Sequence, residues 1–189
     1  AIQDIQHGDQ PFVFQHYAIV FNGEIYNHLQ LRKQYLNDVN FTSNSDTETL
    51  LHLYIKYKDD MFNMLDGMFA FAILNKKDNT LILARDRAGK KPLYIYHNNQ
   101  KMLFSSELNA INNSVPLIVN KEKIYSYIRN GFFYKDTTPY KNVLEVEPGH
   151  VYTVNIINLS LEKRRYFNHL NYYKKDKIAN LDVALHKVD

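Results

Sequence analysis

Hydrophobic and polar residues alternate near the start of the chain and then give way to a continuous apolar run. The segment FVFQHYAIVF (12–21) has this form, which predicts one β-strand ending at Asn22. Asn22 and Gly23 follow directly, and Asn-Gly after an apolar strand is the strongest short-range signal for a tight turn. Helical spacing begins soon afterwards, so this turn is predicted to lead from a strand into a helix.

Two helices are predicted next, each from a capping pattern. Asn27 is followed three residues later by Gln30, which resembles a capping pair before a helix that extends to about residue 36. Ser45 and Glu48 form an S-x-x-E capping box. The apolar residues after that box have a helical period, which predicts a helix with one buried face.

Short apolar segments separated by turn residues then predict a series of strands. The runs 68–74 and 80–84 flank NKKDN and predict an antiparallel hairpin, and 93–96 and 102–105 predict a second pair. Further strands are expected at 143–146 and 151–156, around Glu147-Pro148-Gly149, with helices at 107–112, 121–129 and 181–189. Helices combined with antiparallel hairpins predict an α+β fold in which helices cover the faces of sheets.

Composition and charge exclude several classes of function. The net charge of the 189 residues is +3, and the longest basic cluster, Lys163-Arg164-Arg165, is short, which argues against nucleic-acid binding. The chain has no cysteine, so it contains no disulfide, zinc-thiolate site or thiol nucleophile of its own. The eight histidines lack metal-ligand spacing, so no metal site is expected. No membrane span or signal peptide is evident, and a cytoplasmic protein is expected.

Five segments, in order, give a more specific signal than periodicity does. They are Asn22-Gly23-Glu24-Ile25-Tyr26-Asn27, Ser45-Asp46-Thr47-Glu48, Asp66-Gly67-Met68-Phe69-Ala70-Phe71-Ala72, Arg85-Asp86-Arg87-Ala88-Gly89-Lys90-Lys91-Pro92-Leu93-Tyr94 and Ser105-Ser106-Glu107. Together they resemble the class II glutamine amidotransferase domain of the asparagine synthetase type. One departure is Ile95, where a second Tyr is common in that family.

This resemblance implies a fold and a division of the chain. Such domains are similar to N-terminal-nucleophile (Ntn) hydrolases, which are four-layer αββα sandwiches whose first mature residue is a Cys. The implied domain covers residues 1–155 and lacks its first strand or strands. Residues 156–189 would then form the connection toward a synthetase domain that this chain does not contain.

The resemblance also implies roles for four residues. Asn22 and Gly23 match the side-chain and backbone donors of the family's oxyanion hole. Asp46 matches the acid that binds the glutamine α-ammonium, and Glu24 is expected to line the same pocket. Structural alternatives remain: Asn22-Gly23 as a simple turn, and Asp46 as a stabiliser of a helix N-terminus. For Arg85, Asp86, Gly89 and Pro92 we favour a structural role over catalysis.

The family's remaining chemistry lies outside this sequence. The nucleophilic Cys is absent, as is the Arg that would bind the substrate carboxylate, so the chain alone is expected to have no glutaminase activity. No cofactor is expected in this segment, whereas ATP and Mg²⁺ are expected for the synthetase domain.

The implied function is the glutaminase portion of a glutamine-hydrolysing asparagine synthase, with glutamine and its own synthetase domain as partners. A homodimer is one assembly that the resemblance allows. Two alternatives stay open: a sister enzyme that amidates another acceptor, and a degenerate, non-catalytic domain that packs against a synthetase-like partner. A Cys directly after the start Met would favour the enzyme.

Overall fold

The structure is a computed structural model, and it describes residues 9–173 of the chain. Its strands are β1 (Phe12–Phe14), β2 (Tyr17–Ile25), β3 (Gly67–Asn75), β4 (Thr80–Arg85), β5 (Tyr94–His97), β6 (Met102–Ser105), β7 (Val143–Glu145), β8 (His150–Asn155) and β9 (Leu161–Arg165). Its helices are α1 (His28–Tyr35), α2 (Asp46–Tyr57), α3 (Met61–Met64), α4 (Leu108–Ser114), α5 (Lys121–Asn130) and α6 (Leu170–Tyr173), with a 3₁₀ turn at Lys58–Asp60.

The strands form two antiparallel sheets. The large sheet has six strands in the order β1-β2-β3-β4-β8-β9, and the small sheet has three in the order β6-β5-β7. At one end of the large sheet, Asn22 of β2 pairs with Ala70 of β3, and Ala70 pairs with Arg85 of β4. These three residues therefore form a row across β2, β3 and β4.

Three apolar clusters separate four layers. On one face of the large sheet, α1, α2 and α3 pack over residues such as Ile19 and Phe71. The opposite face meets the small sheet through residues such as Leu83 and Ile95. The outer face of the small sheet is covered by α4, around Ile111. The order is thus helix, sheet, sheet, helix, which confirms the predicted α+β, Ntn-type αββα sandwich.

Most predicted elements lie close to their predicted positions. The hairpin of β3 and β4 and the pair β5 and β6 are confirmed, as are helices near 28–35, 46–57, 108–114 and 121–130. The strands around Glu147-Pro148-Gly149 form, but they belong to different sheets, since β7 pairs with β5 and β8 pairs with β4. The helix predicted at 181–189 lies outside the described residues.

The first predicted strand is wrong in two respects. It is a hairpin, because Gln15 adopts a left-handed φ of 54° and Phe14 pairs with Tyr17 across the turn. In addition, Asn22 and Gly23 do not form a turn, since β2 passes through both and ends at Ile25. The strand-to-helix turn lies further on, between β2 and α1.

The capping predictions are correct for one helix start and wrong for the other. Ser45 caps α2, and its side chain accepts a hydrogen bond from the Thr47 N–H at 3.2 Å. Glu48 does not complete the capping box, because its carboxylate binds the preceding loop instead. The side chain of Asn27 does not cap α1; it donates to the Met64 carbonyl and accepts from the Asp66 N–H.

Candidate active site

The four residues singled out from the sequence lie around the end of β2. Burial alternates along this strand, and Asn22 and Glu24 lie on the side that faces the small sheet. Gly23 lies between them. Asp46, the first residue of α2, approaches the same strand end and accepts a hydrogen bond from the Ile25 N–H at 3.0 Å. The fold therefore brings together residues that lie more than twenty positions apart.

The side chain of Asn22 is held from the opposite sheet. Its Nδ2 donates to the Ser106 hydroxyl, at 3.1 Å, just after β6. A cavity of about 210 Å³ opens beside this contact and is also lined by Gln10 and Phe104. An amide carries two N–H donors, and the bond to Ser106 uses one of them and holds the amide beside the cavity.

The backbone N–H of Gly23 points to the open edge of β2. In an antiparallel strand alternate residues direct their N–H and C=O groups to the same side. Phe21 N–H donates to the Gln10 side chain on the side away from β3, at 2.6 Å, and Ile25 N–H donates to Asp46. Gly23 lies between these two residues and shares their direction, where β1 borders only the first part of β2.

Gly23 is required by packing as well as by any role with a ligand. Its φ is 152°, and a Cβ at this position would lie 2.1 Å from the Met68 carbonyl oxygen of β3. No real Cβ contact is this short, so a side chain here forces the two strands apart. The glycine therefore permits close approach of β2 and β3.

Asp46 is buried, and one of its carboxylate oxygens lacks a hydrogen-bond partner among the described residues. Its side chain is 1% exposed, and among the described residues its Oδ1 has no hydrogen-bond partner. Burial raises the pKa of Asp46, although the Ile25 N–H and the neighbouring His28 oppose that change. Burial also lowers the pKa of His28, whose Nδ1 likewise has no partner within residues 9–173. A buried carboxylate oxygen of this kind suits a cationic group.

Arg32 fixes the loop that carries Asp46, and the sequence analysis did not identify it. From α1 it donates to the carbonyls of Ser43 and Ser45 and to the Thr49 hydroxyl, at 2.6–2.8 Å. Its guanidinium also lies 3.8 Å from the centre of the Phe41 ring. A lone Arg on a helix gives no local signal of such a role, because the loop it binds lies more than ten residues away.

Glu48 binds the same loop from the other side. Its two oxygens accept four hydrogen bonds, from the backbone N–H and the hydroxyl of both Thr42 and Ser43, at 2.7–2.9 Å. Burial opposes ionisation, but these donors outweigh it and lower the pKa of Glu48. Glu48 is thus a structural carboxylate, whereas Asp46, two residues earlier, has one oxygen with no hydrogen-bond partner in the described residues.

The segment that begins with Arg85 is structural, as the sequence analysis favoured. The Arg85 guanidinium donates to the carbonyls of Lys91, Val146 and Gly89 and forms an ion pair with Glu145 at 2.8 Å. Asp86 does not pair with Arg85. It organises the following turn by accepting backbone N–H groups, at Ala88, Lys90 and Lys91, and it also accepts the Phe69 N–H.

Within residues 9–173, no cluster of three or more His, Asp or Glu side chains is arranged to hold a metal ion. In the same part of the chain no helix is long and apolar enough to cross a membrane.

Comparison with known proteins places this chain in a family. A family model described as a glutamine amidotransferase domain matches residues 1–167. The chain belongs to this family. The amidotransferase domain is 38% identical over 160 residues to asparagine synthetase [glutamine-hydrolyzing] 1 of Bacillus subtilis (strain 168), covering 82% of this chain and 25% of the relative. It is 33% identical over 168 residues to putative asparagine synthetase [glutamine-hydrolyzing] 2 of Methanocaldococcus jannaschii, and this match covers 85% of this chain and 32% of the relative.

A solved structure shares the fold. The glutamine phosphoribosylpyrophosphate amidotransferase from B. subtilis, complexed with ADP and GMP, matches with a TM-score of 0.58 and 26% identity. The match covers 84% of this chain and 32% of that chain. The amidotransferase domain thus spans between a quarter and a third of the length of the proteins it matches.

Proposed function

We propose that this domain is the glutaminase portion of a glutamine-hydrolysing asparagine synthase, which releases ammonia from glutamine for ATP-dependent amidation of aspartate. The observation that carries the proposal is the arrangement at the open end of β2. There an anchored Asn22 amide, the outward N–H of Gly23 and the buried Asp46 carboxylate surround one strand end. The names of the relatives support asparagine synthesis as the overall reaction.

In the proposed reaction this chain supplies the groups that stabilise charge. A thiolate from outside the chain attacks the side-chain amide carbon of glutamine and forms a tetrahedral oxyanion. The Asn22 Nδ2–H and the Gly23 N–H donate to that oxyanion as it forms. As the oxyanion collapses to a thioester, the leaving nitrogen takes up the proton that the thiol lost, and ammonia departs. Water then hydrolyses the thioester, which releases glutamate and returns the thiol.

In the proposal, two carboxylates of this chain bind the substrate. The unpartnered Oδ1 of Asp46 accepts the α-ammonium of glutamine, and this cation compensates the cost of burying the carboxylate. Glu24 follows Gly23 on the strand and lines the same pocket. ATP, Mg²⁺ and aspartate belong to a synthetase domain outside this chain, and we place the whole enzyme in the cytoplasm.

Labelled glutamine tests the proposal in the full-length gene product. With glutamine labelled by ¹⁵N at the side-chain amide, aspartate and ATP, labelled asparagine is expected. Asn22→Ala should lower glutamine-dependent synthesis by about a hundredfold or more, on the scale of a lost oxyanion donor, while ammonia-dependent synthesis continues. Equal loss of both activities would indicate a folding defect. Glutamate release without labelled asparagine would refute aspartate as the acceptor, and no glutamate release would refute the glutaminase itself.

A further inference from the structure

The side-chain amide of Gln10 forms two hydrogen bonds with the backbone of Phe21. Its Oε1 accepts the Phe21 N–H at 2.6 Å, and its Nε2 donates to the Phe21 carbonyl at 2.9 Å. A primary amide places a carbonyl and an N–H side by side, which are the groups that a peptide offers to a neighbouring strand. This side chain therefore pairs with β2 in the way that a strand backbone does.

The register of β1 and β2 explains why residue 10 reaches this place. Phe12 pairs with Ile19, and the same register carried two residues further puts Gln10 opposite Phe21. β1 begins only at Phe12, so the side chain of Gln10 takes the place of a backbone partner. Phe21 is buried, and its backbone N–H and C=O would cost stability without partners. Gln10 thus satisfies both backbone groups of Phe21 at the edge of the sheet.

The hydrogen bond to the Phe21 carbonyl also orients Asn22. The carbonyl of Phe21 and the N–H of Asn22 belong to one planar peptide group. Gln10 holds this group on its outer side, and the pairing of Asn22 with Ala70 of β3 holds it on the inner side. The peptide plane sets the direction in which the Asn22 side chain leaves the strand, and Ser106 holds the far end of that side chain. The Asn22 amide is therefore fixed at its base and at its tip.

The N–H of Gly23 lies between two groups that are held by side chains. Phe21, Gly23 and Ile25 direct their N–H groups to the same side of β2. The side chain of Gln10 accepts the first of these groups, and the side chain of Asp46 accepts the third. Successive N–H groups on one side of a strand lie about 7 Å apart. The edge of β2 is thus held on both sides of Gly23, and Gln10 also lines the cavity of about 210 Å³ at this edge.

We infer that Gln10 is a positioning residue of the candidate active site, because its side-chain amide fixes the strand edge from which Asn22 and Gly23 present their donors. The inference rests on the proposed function, in which these two donors bind the oxyanion. Oxyanion donors act over a narrow range of distance, and a misplacement of about 1 Å can lower the rate about a hundredfold. The oxyanion exists only after the attack on glutamine, so loss of Gln10 should lower kcat and leave KM nearly unchanged.

Steady-state kinetics of the full-length gene product test the inference. Gln10→Ala should lower kcat for glutamate release from glutamine by about tenfold or more, change KM by less than about twofold and leave ammonia-dependent synthesis unchanged. The matched control is Asn75→Ala. Asn75 ends β3 far from the site, and its side-chain carbonyl accepts the backbone N–H groups of Lys77 and Asp78. Its loss should leave kcat within about twofold of wild type.

Gln10→Glu gives a second readout, which a folding defect would not produce. A protonated carboxyl group accepts an N–H and donates an O–H, as the amide pairs with Phe21, whereas an ionised carboxylate only accepts and faces the Phe21 carbonyl. The described residues that line the cavity have no titratable side chain, and Asp9, next to Gln10, is exposed. The ratio of the kcat of this variant to that of wild type should therefore rise as the pH falls from about 8 to about 5.

Three kinetic results would overturn the inference. An unchanged kcat in Gln10→Ala, or a rise in KM alone, would show that this residue does not position the oxyanion donors. Equal loss of glutamine-dependent and ammonia-dependent synthesis would reduce its role to folding. A kcat ratio for Gln10→Glu that does not change with pH would exclude pairing with the Phe21 carbonyl as the cause.

Hydrogen–deuterium exchange separates this inference from the proposed function, because it requires no turnover. In Gln10→Ala the amides of Phe21 and Gly23 should exchange about tenfold faster than in wild type, on the scale of two lost hydrogen bonds, and Asn75→Ala should not change them. Absence of glutamate release by the wild-type protein would refute the proposed function. Unchanged exchange in Gln10→Ala would refute the role of Gln10 whatever the activity.

Discussion

Gly23 of β2 and Gly67 of β3 each lack the side chain that would collide with the backbone of the neighbouring strand. A Cβ on Gly23 would lie 2.1 Å from the Met68 carbonyl oxygen, and a Cβ on Gly67 would lie 2.3 Å from the Glu24 carbonyl oxygen. Both glycines also have φ values, 152° and 159°, that L-residues rarely adopt. The two backbones therefore approach closely where β2 reaches the candidate site.

We predict that Gly23→Ala destabilises the protein by about 3 kcal/mol or more, because the new methyl meets backbone that has nowhere to move. The matched control is Gly131→Ala. Gly131 also has a positive φ, 80°, but nothing lies within 4 Å of its added Cβ. Strain alone should cost about 1 kcal/mol there. Urea unfolding measures the free energy of unfolding of both variants. Equal losses of stability in Gly23→Ala and Gly131→Ala would show that the contact with Met68 does not matter.

At the level of single residues, the sequence shows which residues belong to the candidate site better than it shows which residues they contact. Asn22 and Gly23 stand out from the five ordered segments, yet the local Asn-Gly signal for a turn is wrong. Pairing along β3 holds both residues in a strand, and such tertiary pairing overrides local preference. The contact of Asn22 with Ser106 joins residues 84 positions apart, and no local pattern encodes it.

At the level of elements, the first turn of α2 carries two buried carboxylates whose pKa values are shifted in opposite directions. Burial raises the pKa of Asp46 above its ordinary value of 3.8, so its charged form costs stability at neutral pH. Hydrogen bonds from Thr42 and Ser43 lower the pKa of Glu48 below its ordinary value of 4.5, against the effect of burial. The charged form of Glu48 therefore adds stability at neutral pH.

We predict that Asp46→Asn raises the free energy of unfolding at pH 7 and that Glu48→Gln lowers it by about 1–3 kcal/mol. The sign follows from linkage. The stability supplied by Glu48 is present above pH 4.5 and is lost as the pH falls through its lowered pKa. The cost of Asp46 is present above its raised pKa and disappears as the pH falls toward 3.8.

Urea unfolding of both variants between pH 7 and about pH 3 checks this pair. The two differences from wild type should have opposite signs at pH 7 and should both shrink toward acid. Destabilisation by Asp46→Asn at pH 7 would contradict a cost of burial. In that case the carboxylate would serve chiefly to hold Ile25.

Elements with strong apolar patterns are predicted well, and elements with weak ones are not. The run 68–74 lies in the centre of the large sheet as β3, where burial on both faces requires apolar residues throughout. In contrast, β9 reads LEKRR and was not predicted, because it is an edge strand whose residues after Leu161 are exposed. Edge strands commonly carry such charges, which prevent pairing with other chains.

At the level of the whole molecule, Arg85 connects the two sheets. It extends from the end of β4 in the large sheet and forms an ion pair with Glu145 of β7 in the small sheet. Its other donors bind carbonyls of the turn after β4 and of the segment between β7 and β8. One planar guanidinium thus satisfies several partners around the junction of the sheets.

We predict that Arg85→Lys lowers the free energy of unfolding by about 2–4 kcal/mol, because an ammonium cannot reach all of these acceptors and leaves buried groups unpaired. Arg87→Lys is the matched control. Arg87 lies two residues away at an exposed position, donates to the Asn63 carbonyl and covers the Phe167 ring. Its loss should cost less than about 1 kcal/mol. Thermal and urea unfolding compare the two, and equal costs would refute the connecting role.

The contact between Asn22 and Ser106 makes the geometry of the candidate site depend on how the two sheets pack against each other. Asn22 belongs to the large sheet and Ser106 follows the last residue of β6 in the small one, so the hydrogen bond exists only when both sheets are in register. The side-chain amide of Asn22 should therefore give an NMR signal whose exchange with solvent follows sliding or opening between the layers. Under the proposed function, a change in the packing between the sheets can then reduce glutamine hydrolysis while Asn22, Gly23 and Asp46 themselves stay the same.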